Sequence, residues 1–279
     1  MYPILFQIGG FTVTSFGVLM ALAFFAAGTV AARHLRRTGE DPEHAWDLAG
    51  FAAIFGIIGA KVYYLFLHWP DTVADPTRAL LSRAGLVWYG GLILAAFVVM
   101  LRVRKLGISL PHAADAAGLA LAIGYAVGRV GCFLVGDDYG TPTDVPWAVA
   151  FPEGAPPSTA ENLREFGARI PATVPDDAVL AVHPTQLYET GMSLIIFLVL
   201  LRLRPRIATP GMLFFIWVSL AGVERFIVEI FRAKDDRFLG VFSIAQLISI
   251  LLVAAGIAGG TMLARRSGRA AGVGRPATA

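Results

Sequence analysis

The residue with the clearest chemical implication is Arg129, which lies in the run IGYAVGRVGCFLVGDDYG at 123–140. This run closes an apolar stretch that begins near His112 and is long enough to cross a bilayer. A guanidinium cannot lose its charge, so its burial at such a depth indicates a charged partner or an anionic ligand. Two more polar motifs border apolar segments, HPTQLYE at 183–189 and ERFIVEIFR at 224–232. Together the three motifs predict a lipid-facing site for an anionic group.

The third motif places several charges on one helix face. Arg225 and Glu229 are four residues apart and can pair with each other, and Arg232 extends the same stripe. A structural ion pair with a snorkelling terminal arginine is the alternative to a binding site. Two arginines are nevertheless well suited to a phospholipid phosphate, because each guanidinium offers a fork of N–H donors.

The motif HPTQLYE is typical of the start of a helix, where the missing N–H of proline would be unpaired anyway. His183 can act there as a general base, with Glu189 orienting it or accepting a proton. A structural hydrogen-bonding role for His183 is the alternative. The glycines of the first motif allow a close approach either by a ligand or by a neighbouring helix.

The elements that position these motifs follow from composition. With 56% hydrophobic and 15% charged residues, the 279-residue chain is too apolar for a water-soluble domain. We therefore predict an all-α integral membrane protein, because helices satisfy their own backbone hydrogen bonds in lipid. Seven apolar stretches have spanning length: Ser15–Ala32, Ala45–Leu67, Leu86–Val103, Ala113–Val135, Gln186–Leu203, Gly211–Ile230 and Val241–Leu263.

Basic residues predict the orientation of these spans. Arginines and lysines follow the first, third, fifth and seventh stretches, so these connections and the C-terminus are expected to be cytoplasmic. The N-terminus and the connections 68–85, 136–182 and 232–240 then lie outside. Most of the charged residues in or beside the spans fall near the outer ends, Lys61 being deeper. A transporter or channel would need an inverted repeat or a polar path across the membrane, which this one-sided distribution argues against.

We expect one membrane domain at 1–266, an external insertion at about 141–182 between the fourth and fifth helices, and a disordered cytoplasmic tail at 267–279. The insertion is proline-rich, which predicts irregular backbone with a short helix at Thr159–Ala168. The single cysteine, Cys132, excludes an intrachain disulfide and CxxC metal sites, and we expect no metal or cofactor. The formal charge of +3 sits mostly in the cytoplasmic connections and gives no sign of nucleic-acid binding.

At this point the motifs resemble a known family. GRVGCFLVGDDYG, HPTQLYE and ERFIVEIFR are similar, in the same order and the same relative spans, to the signature regions of the bacterial prolipoprotein diacylglyceryl transferases. SFGVLM at 15–20, GAKVYY at 59–64 and YGGLI at 89–93 resemble weaker patches of that family. The resemblance covers most of the chain apart from the insertion and the tail. HPTQLYE joined to the glycine–arginine motif is specific, whereas any one motif alone is weak.

The resemblance implies a transferase in the bacterial plasma (inner) membrane, with its active site toward the outer leaflet. Such an enzyme moves the diacylglyceryl group of phosphatidylglycerol to the lipobox cysteine thiol of a preprolipoprotein, the first step of lipoprotein maturation. A thioether forms and glycerol phosphate leaves. The implied partners are therefore phosphatidylglycerol, the preprolipoprotein signal peptide and membrane lipid.

Site residues carry over from the family position by position. Arg129 and Arg225 would hold the phosphate, with Glu229 fixing Arg225. The residues expected to be catalytic are Arg129, Arg225, His183, Glu229 and Tyr89. The residues expected to bind substrate are Arg129, Arg225, Asp137, Gly140, Gln186, Glu189, Cys132 and Phe16.

Five positions depart from the family pattern. The family commonly has histidine at Tyr89, asparagine at Cys132, tyrosine at Phe16, arginine at Lys61 and glutamate at Asp137. Phenylalanine cannot replace a hydroxyl, and an unperturbed phenol with a pKa near 10 is a poor base at neutral pH. A family paralogue using another acceptor or lipid, or a non-catalytic membrane lipid-binding protein, is therefore an alternative function.

Overall fold

The computed structural model describes residues 3–9, 11–82, 85–233, 237–238 and 242–273, and these residues are mostly helical. The chain forms two compact units, one comprising Met1–Ala27 with Ala117–Ala279 and the other Gly28–Ala116. The connection predicted at 232–240 falls partly outside the described residues, as does the end of the tail at 274–279.

Helices account for most of the described residues. In chain order they are α1 (Ser15–Arg37), α2 (Glu43–Leu67), α3 (Trp69–Ala74), α4 (Pro76–Leu81), α5 (Trp88–Lys105), α6 (Leu110–Val135), α7 (Ala160–Glu165), α8 (Thr185–Leu203), α9 (Met212–Glu229) and α10 (Ile244–Val273). Short strands pair antiparallel, β1 (Ile4–Ile8) with β2 (Phe11–Thr14), β3 (Val149–Ala150) with β4 (Ala181–Val182), and β5 (Arg237–Phe238) with β6 (Phe242–Ser243). The predicted all-α class is therefore confirmed.

Every predicted apolar stretch coincides with a long helix. Five helices are long and apolar enough to cross a membrane, namely α1, α2, α6, α8 and α10 up to Ser267. The other two, α5 and α9, have 18 residues each and carry three charged side chains within that length. The crossing of α5 and α9, and the orientation of the whole chain, stay predictions.

In the unit Gly28–Ala116, α2 packs closely on α5. A Cβ on Gly59 of α2 would lie 2.7 Å from Leu94 Cβ, and a Cβ on Gly91 of α5 would lie 2.7 Å from the backbone oxygen of Gly56. Small residues of this kind let two membrane helices approach each other. The patches GAKVYY and YGGLI therefore have a packing role within this unit.

In the other unit, α9 packs on both α8 and α10. Ser193 Oγ of α8 donates a hydrogen bond of 2.6 Å to Glu224 Oε1 of α9, and both residues are buried. On the α10 side, a Cβ on Gly222 would lie 2.9 Å from the backbone oxygen of Ser249. These contacts fix the register of α9, whose C-terminal turns carry the third polar motif.

The insertion packs with residues on either side of it in one small core. Its helix is shorter than predicted, because α7 begins after Thr159, whose side chain caps Asn162, and ends at Glu165. Tyr139 stacks on Phe151 with ring centroids 5.5 Å apart, and burial raises the pKa of Tyr139 to about 12. The buried residues of this core are Tyr139, Phe151, Leu163, Val182 and Ala233. The predominantly irregular backbone is thus held by one apolar cluster.

The last helix, α10, continues through Ser267 to Val273. The disorder expected for the tail at 267–279 stays a prediction. Helix propagation costs less than nucleation, and the arginines and alanines of this stretch are good helix formers.

Candidate active site

The three polar motifs meet in the unit formed by Met1–Ala27 and Ala117–Ala279. Arg129 lies in the last turns of α6, and Glu189 lies in the second turn of α8. Arg225 and Glu229 lie in the last two turns of α9, and Arg232 follows shortly after that helix ends. Ends of three helices therefore bring these charged side chains together.

Glu189 is the carboxylate that two of the motif arginines share. Its Oε2 pairs with Arg129 Nη2, and its Oε1 lies 3.6 Å from Arg225 Nη1. Tyr125 Oη also donates a hydrogen bond of 2.8 Å to Oε1. The side chain of Glu189 is only 1% exposed, so its charge depends on these partners rather than on water. The guanidinium groups of Arg129 and Arg225 thus converge on one buried carboxylate.

Asp138 forms a second bridge between arginines. Its Oδ2 accepts a hydrogen bond of 3.1 Å from Arg129 Nη1, and its Oδ1 accepts one of 2.7 Å from Arg232 Nη2. The backbone of Asp138 has a φ of 56°, a left-handed conformation that short polar residues tolerate. Burial alone would raise the pKa of Asp138, but Arg232 and Arg129 hold it below its usual range.

Glu229 completes a closed arrangement of ion pairs. Its Oε2 lies 2.5 Å from Arg225 Nη2 and 3.9 Å from Arg232 Nε, which confirms the predicted pairing of Arg225 with Glu229 and the continuation of the stripe to Arg232 beyond the end of α9. We call the result the guanidinium–carboxylate ring; its members are Arg129, Glu189, Arg225, Glu229, Arg232 and Asp138. Three cations balance three anions within it. A neutral ring of this kind explains how so many charges are accommodated at the ends of apolar helices.

Access to the ring is uneven. The side chains of Arg129, Glu189 and Glu229 are 8%, 1% and 4% exposed. By contrast, 32% of the Arg225 side chain and 47% of the Asp138 side chain remain exposed. An anion entering the site can therefore reach Arg225 before it reaches Arg129.

Gly140 joins the backbones of the three motifs. Its N–H donates a hydrogen bond of 2.8 Å to the carbonyl of His183, and the next residue, Thr141, donates one of 2.8 Å to the carbonyl of Phe231. A Cβ at Gly140 would collide with the Phe231 carbonyl oxygen and would lie 2.8 Å from His183 Cβ and 2.9 Å from Thr185 Cγ2. Only glycine fits this position without a shift of the surrounding backbone.

His183 lies in an aromatic group rather than in the ring. Its Nδ1 is 3.0 Å from Tyr188 Oη, which accepts a hydrogen bond of 2.7 Å from Trp147 Nε1. The imidazole also packs edge-on against Phe231, with ring centroids 5.1 Å apart. Partial burial lowers the pKa of His183, so its imidazole is neutral near pH 7 and retains the capacity to accept a proton.

Sequence comparison with known proteins identifies the family of this chain. A family profile described as prolipoprotein diacylglyceryl transferase matches residues 3–262 of the chain. The chain belongs to the prolipoprotein diacylglyceryl transferase family. A protein of Clostridium tetani named phosphatidylglycerol–prolipoprotein diacylglyceryl transferase is 27% identical over 92% of this chain and 96% of its own length. A protein with the same name from Geobacter sulfurreducens is 29% identical over 95% of this chain and 96% of its own length. Another, from Nostoc sp., is 26% identical over 92% of this chain and 87% of its own length. The resemblance drawn from the motifs is confirmed.

Three residues that were expected to bind substrate border the ring without belonging to it, and their roles stay predictions. Gln186 is fully buried, and its Nε2 donates a hydrogen bond of 2.5 Å to the backbone oxygen of Asp137. Cys132 Sγ accepts a hydrogen bond of 3.3 Å from Arg129 Nη1 and lies in hydrogen-bonding reach of the Asp137 carboxyl. Burial and the adjacent Asp138 raise the pKa of Asp137.

Two departures from the prolipoprotein diacylglyceryl transferase pattern concern aromatic residues. Phe16 packs on α6, because a Cβ on Gly131 would lie 3.5 Å from Phe16 Cδ2. Tyr89 belongs to the unit Gly28–Ala116, where it is half exposed and packs edge-on against Trp88 at 5.2 Å. In the same unit Lys61 Nζ donates a hydrogen bond of 2.9 Å to the Ser82 carbonyl. The roles expected for Phe16 and Tyr89 stay predictions.

Several residues of the site escaped the sequence reasoning. Asp138 makes the ion pairs, whereas the prediction named its neighbour Asp137; no spacing rule separates two adjacent carboxylates in a loop. Tyr125 lies four residues before Arg129, and Ser193 lies four residues after Glu189. That spacing places each pair on one helix face and was a usable signal.

Proposed function

We propose that this chain transfers the diacylglyceryl group of phosphatidylglycerol to the lipobox cysteine thiol of a preprolipoprotein. In this reaction the thiol sulfur forms a bond to the glyceryl carbon, the bond from that carbon to the phosphate oxygen breaks, and glycerol phosphate leaves. The convergence of Arg129 and Arg225 on one carboxylate is the observation that carries the proposal. Membership of the family and the names of the relatives support it.

The lipid phosphate binds between the two guanidinium groups. The contact of 3.6 Å between Arg225 and Glu189 is one of the longer links of the ring, and Arg225 is the more exposed of the two arginines. A phosphodiester carries the same negative charge as the carboxylate and accepts the same forked hydrogen bonds. It therefore replaces Glu189 at Arg225 at a small net electrostatic cost. Both guanidinium groups then stabilise the charge that develops on the departing phosphate.

Proton transfer is assigned to His183 and Glu189. A free thiol has a pKa of about 8.5, so a nearby base raises the fraction of thiolate, the attacking species. His183 is neutral near pH 7 and is held by Tyr188, which suits a base. Glu189, once a phosphate takes its place at Arg225, is a second acceptor for the thiol proton.

The reaction takes place at the outer leaflet of a bacterial plasma membrane. Seven spans with the N-terminus outside bring the ends of α6 and α9, and the start of α8, to the outer side. Phospholipid phosphates lie at the boundary between headgroups and acyl chains. The ring, which is at the outer ends of these helices, is therefore at the depth of the phosphates. The five apolar helices support the membrane location, and the basic connections support the orientation.

The proposal is tested with purified protein, phosphatidylglycerol in detergent micelles and a synthetic lipobox peptide, with the peptide analysed by mass spectrometry. The expected result is a gain of one diacylglyceryl group on the peptide cysteine together with the release of glycerol phosphate. Arg129→Lys and Arg225→Lys keep their charge and are expected to abolish transfer, because an ammonium cannot reproduce the fork. Binding of lipid without modification of the thiol would instead favour a non-catalytic lipid-binding protein or a paralogue with another acceptor.

Arg102→Lys provides a matched control. Arg102 also forks onto a carboxylate, with Nε 2.6 Å from Asp47 Oδ2 and Nη2 3.0 Å from Asp47 Oδ1. This substitution removes the same chemical feature from a different ion pair, so it is expected to leave transfer intact. Loss of transfer in Arg102→Lys would show that the ring variants act through general destabilisation.

A further inference from the structure

Buried polar atoms beside the ring have no hydrogen-bond partner within the part of the chain that the structure describes. They are two acceptors, Gln186 Oε1 and Asp137 Oδ1, and one donor, Arg129 Nε. Over the whole residue, Gln186 is 0% exposed and Arg129 is 6% exposed. A buried polar atom left unpaired costs about 1–3 kcal/mol, so natural proteins rarely keep three together unless a ligand or water pairs them.

The direction of the Gln186 amide is fixed by its neighbour. Its Nε2 donates a hydrogen bond of 2.5 Å to the Asp137 carbonyl, which can only accept. Reversing the amide would bring two oxygens together, so Oε1 faces away from that carbonyl. Full burial of Gln186 prevents its side chain from swinging to another partner. An acceptor is thus held in place beside the ring.

The three atoms comprise one donor, on a guanidinium of the anion site, and two acceptors on residues beside it. Arg129 Nε belongs to a guanidinium proposed to hold phosphate, and it can donate to a phosphate oxygen. The acceptors lie close to that guanidinium, since Asp137 adjoins Asp138 of the ring and Gln186 lies one helical turn before Glu189. This pattern is complementary to a phosphate that carries a group with two hydroxyl donors.

We propose that Gln186 Oε1 and Asp137 Oδ1 accept hydrogen bonds from the two hydroxyls of the lipid's glycerol headgroup, and that they select this headgroup over others. This inference rests on the proposed function, since it assumes that the phosphate lies at Arg129 and Arg225. An ammonium headgroup would place another cation beside Arg129, whereas a hydroxyl places none there. Burial also raises the pKa of Asp137, which makes its carboxyl a weaker counterion for an ammonium.

The first test uses the unmodified protein and three lipids with the same acyl chains: phosphatidylglycerol, phosphatidylpropanol and phosphatidylethanolamine. Phosphatidylpropanol keeps the phosphate and the three-carbon headgroup but lacks both hydroxyls. We expect kcat/KM for peptide modification to be about ten- to a hundredfold lower with phosphatidylpropanol, because two buried acceptors then stay unpaired. Equal kcat/KM with phosphatidylglycerol and phosphatidylpropanol, or with phosphatidylglycerol and phosphatidylethanolamine, overturns the inference. In that case water, and not the headgroup, donates hydrogen bonds to the two acceptors. Failure to modify the peptide with any lipid would instead overturn the proposed function.

The second test separates headgroup recognition from a structural clamp. Gln186→Met removes the acceptor and also the bond to the Asp137 carbonyl. Thr185→Val is the matched control, because Thr185 Oγ1 likewise donates a hydrogen bond, of 2.7 Å to the Asp138 carbonyl, from the same helix turn, but Thr185 is not among the residues with an unpaired buried side-chain atom. We expect Gln186→Met to narrow the preference for phosphatidylglycerol over phosphatidylpropanol, because one of the two acceptors is removed, whereas Thr185→Val slows both reactions by the same factor and keeps the full preference. A preference that is unchanged in Gln186→Met, or narrowed equally in Thr185→Val, would contradict the inference.

Discussion

At the scale of residues, the site depends on how three arginines share three carboxylates. Each guanidinium of the ring has partners on two carboxylates, so no cation depends on one contact alone. Removing one carboxylate would leave the two guanidinium groups beside it with one partner each, and breaking a buried pair costs about 3–5 kcal/mol. A bound phosphate would supply the negative charge that Glu189 otherwise supplies at Arg225. The ring is therefore stable when empty and remains able to exchange one anion for another.

His183 makes the site sensitive to pH. Burial lowers its pKa below the ordinary value of about 6.5, so the neutral form predominates at pH 7. If His183 accepts the thiol proton, kcat/KM stays level above about pH 6.5 and falls as the pH drops through its lowered pKa. The stability that burial of neutral His183 contributes has the same sign, since it is present above the unfolded value and lost as the pH falls toward the folded one.

This acid limb is measured as a pH–rate profile with phosphatidylglycerol and the lipobox peptide. His183→Gln is expected to lower the rate and to remove the limb. Asp137→Asn is the control, because Asp137 also titrates on the acid side and its pKa is raised. A limb that disappears in Asp137→Asn and persists in His183→Gln would assign the titration to Asp137 and contradict the role of His183 as a base.

At the scale of elements, the backbone around Gly140 holds the start of α8 against the chain that follows α9. Gly140→Ala places a Cβ against the Phe231 carbonyl and within 2.8 Å of His183 Cβ, so neighbouring backbone must move. We expect a loss of about 1–3 kcal/mol in the free energy of unfolding, together with a loss of transfer. Thermal unfolding followed by tryptophan fluorescence in detergent measures the first effect.

Gly191→Ala is the matched control for that substitution. Gly191 lies in α8, and a Cβ there meets nothing within 4 Å. Alanine is the better helix former by up to about 1 kcal/mol, so the variant is expected to be at least as stable as the parent and to keep its transfer activity. Equal destabilisation by both substitutions would show that the close approach at Gly140 has no special role.

The extent to which the elements could be predicted follows from the strength of their patterns. The ends of α2, α6 and α8 at Leu67, Val135 and Leu203 were predicted to the residue, because an abrupt change in polarity follows each of them. The insertion was predicted only as irregular backbone with a short helix. Its core depends on contacts between distant aromatic residues such as Tyr139 and Phe151, which no local periodicity reveals.

The site was predicted to a similar degree. Helix spacing predicted the pairing of Arg225 with Glu229 and the position of Arg232 on the same stripe. The bias of charges toward helix ends predicted that the three motifs form one site. The closing contact through Asp138 could not be predicted, because it depends on the left-handed backbone of one loop residue. The hydrogen bond from Trp147 to Tyr188 was equally out of reach, since it joins the insertion to α8 across 41 residues.

At the scale of the whole molecule, the number and direction of the spans decide which side of the membrane the ring faces. Single cysteines at exposed positions in successive connections can be labelled in intact cells with a membrane-impermeant maleimide. We expect labelling of Ala74→Cys and Glu153→Cys, which lie in connections predicted to be outside, and no labelling of Lys105→Cys and Arg206→Cys without permeabilisation. The unmodified chain, with Cys132 alone, is the background control.

The pair Ala74→Cys and Lys105→Cys is the informative one for α5, whose three basic residues distinguish it from the five more apolar helices. Labelling of both from outside, or of neither, would mean that α5 does not cross. Labelling of Arg206→Cys but not Glu153→Cys would reverse the orientation and place the ring on the side away from the proposed substrates.

The most direct measurement of the shared phosphate site is a double-mutant cycle on lipid affinity. The dissociation constant of a short-chain phosphatidylglycerol is measured by titration calorimetry for the parent, Arg129→Lys, Arg225→Lys and the double variant. If both guanidinium groups hold one phosphate, each single substitution weakens binding by about tenfold or more, and the double variant weakens it by much less than the product of the two. Independent effects that multiply in full, or unchanged affinity in either single variant, would contradict a common phosphate between Arg129 and Arg225.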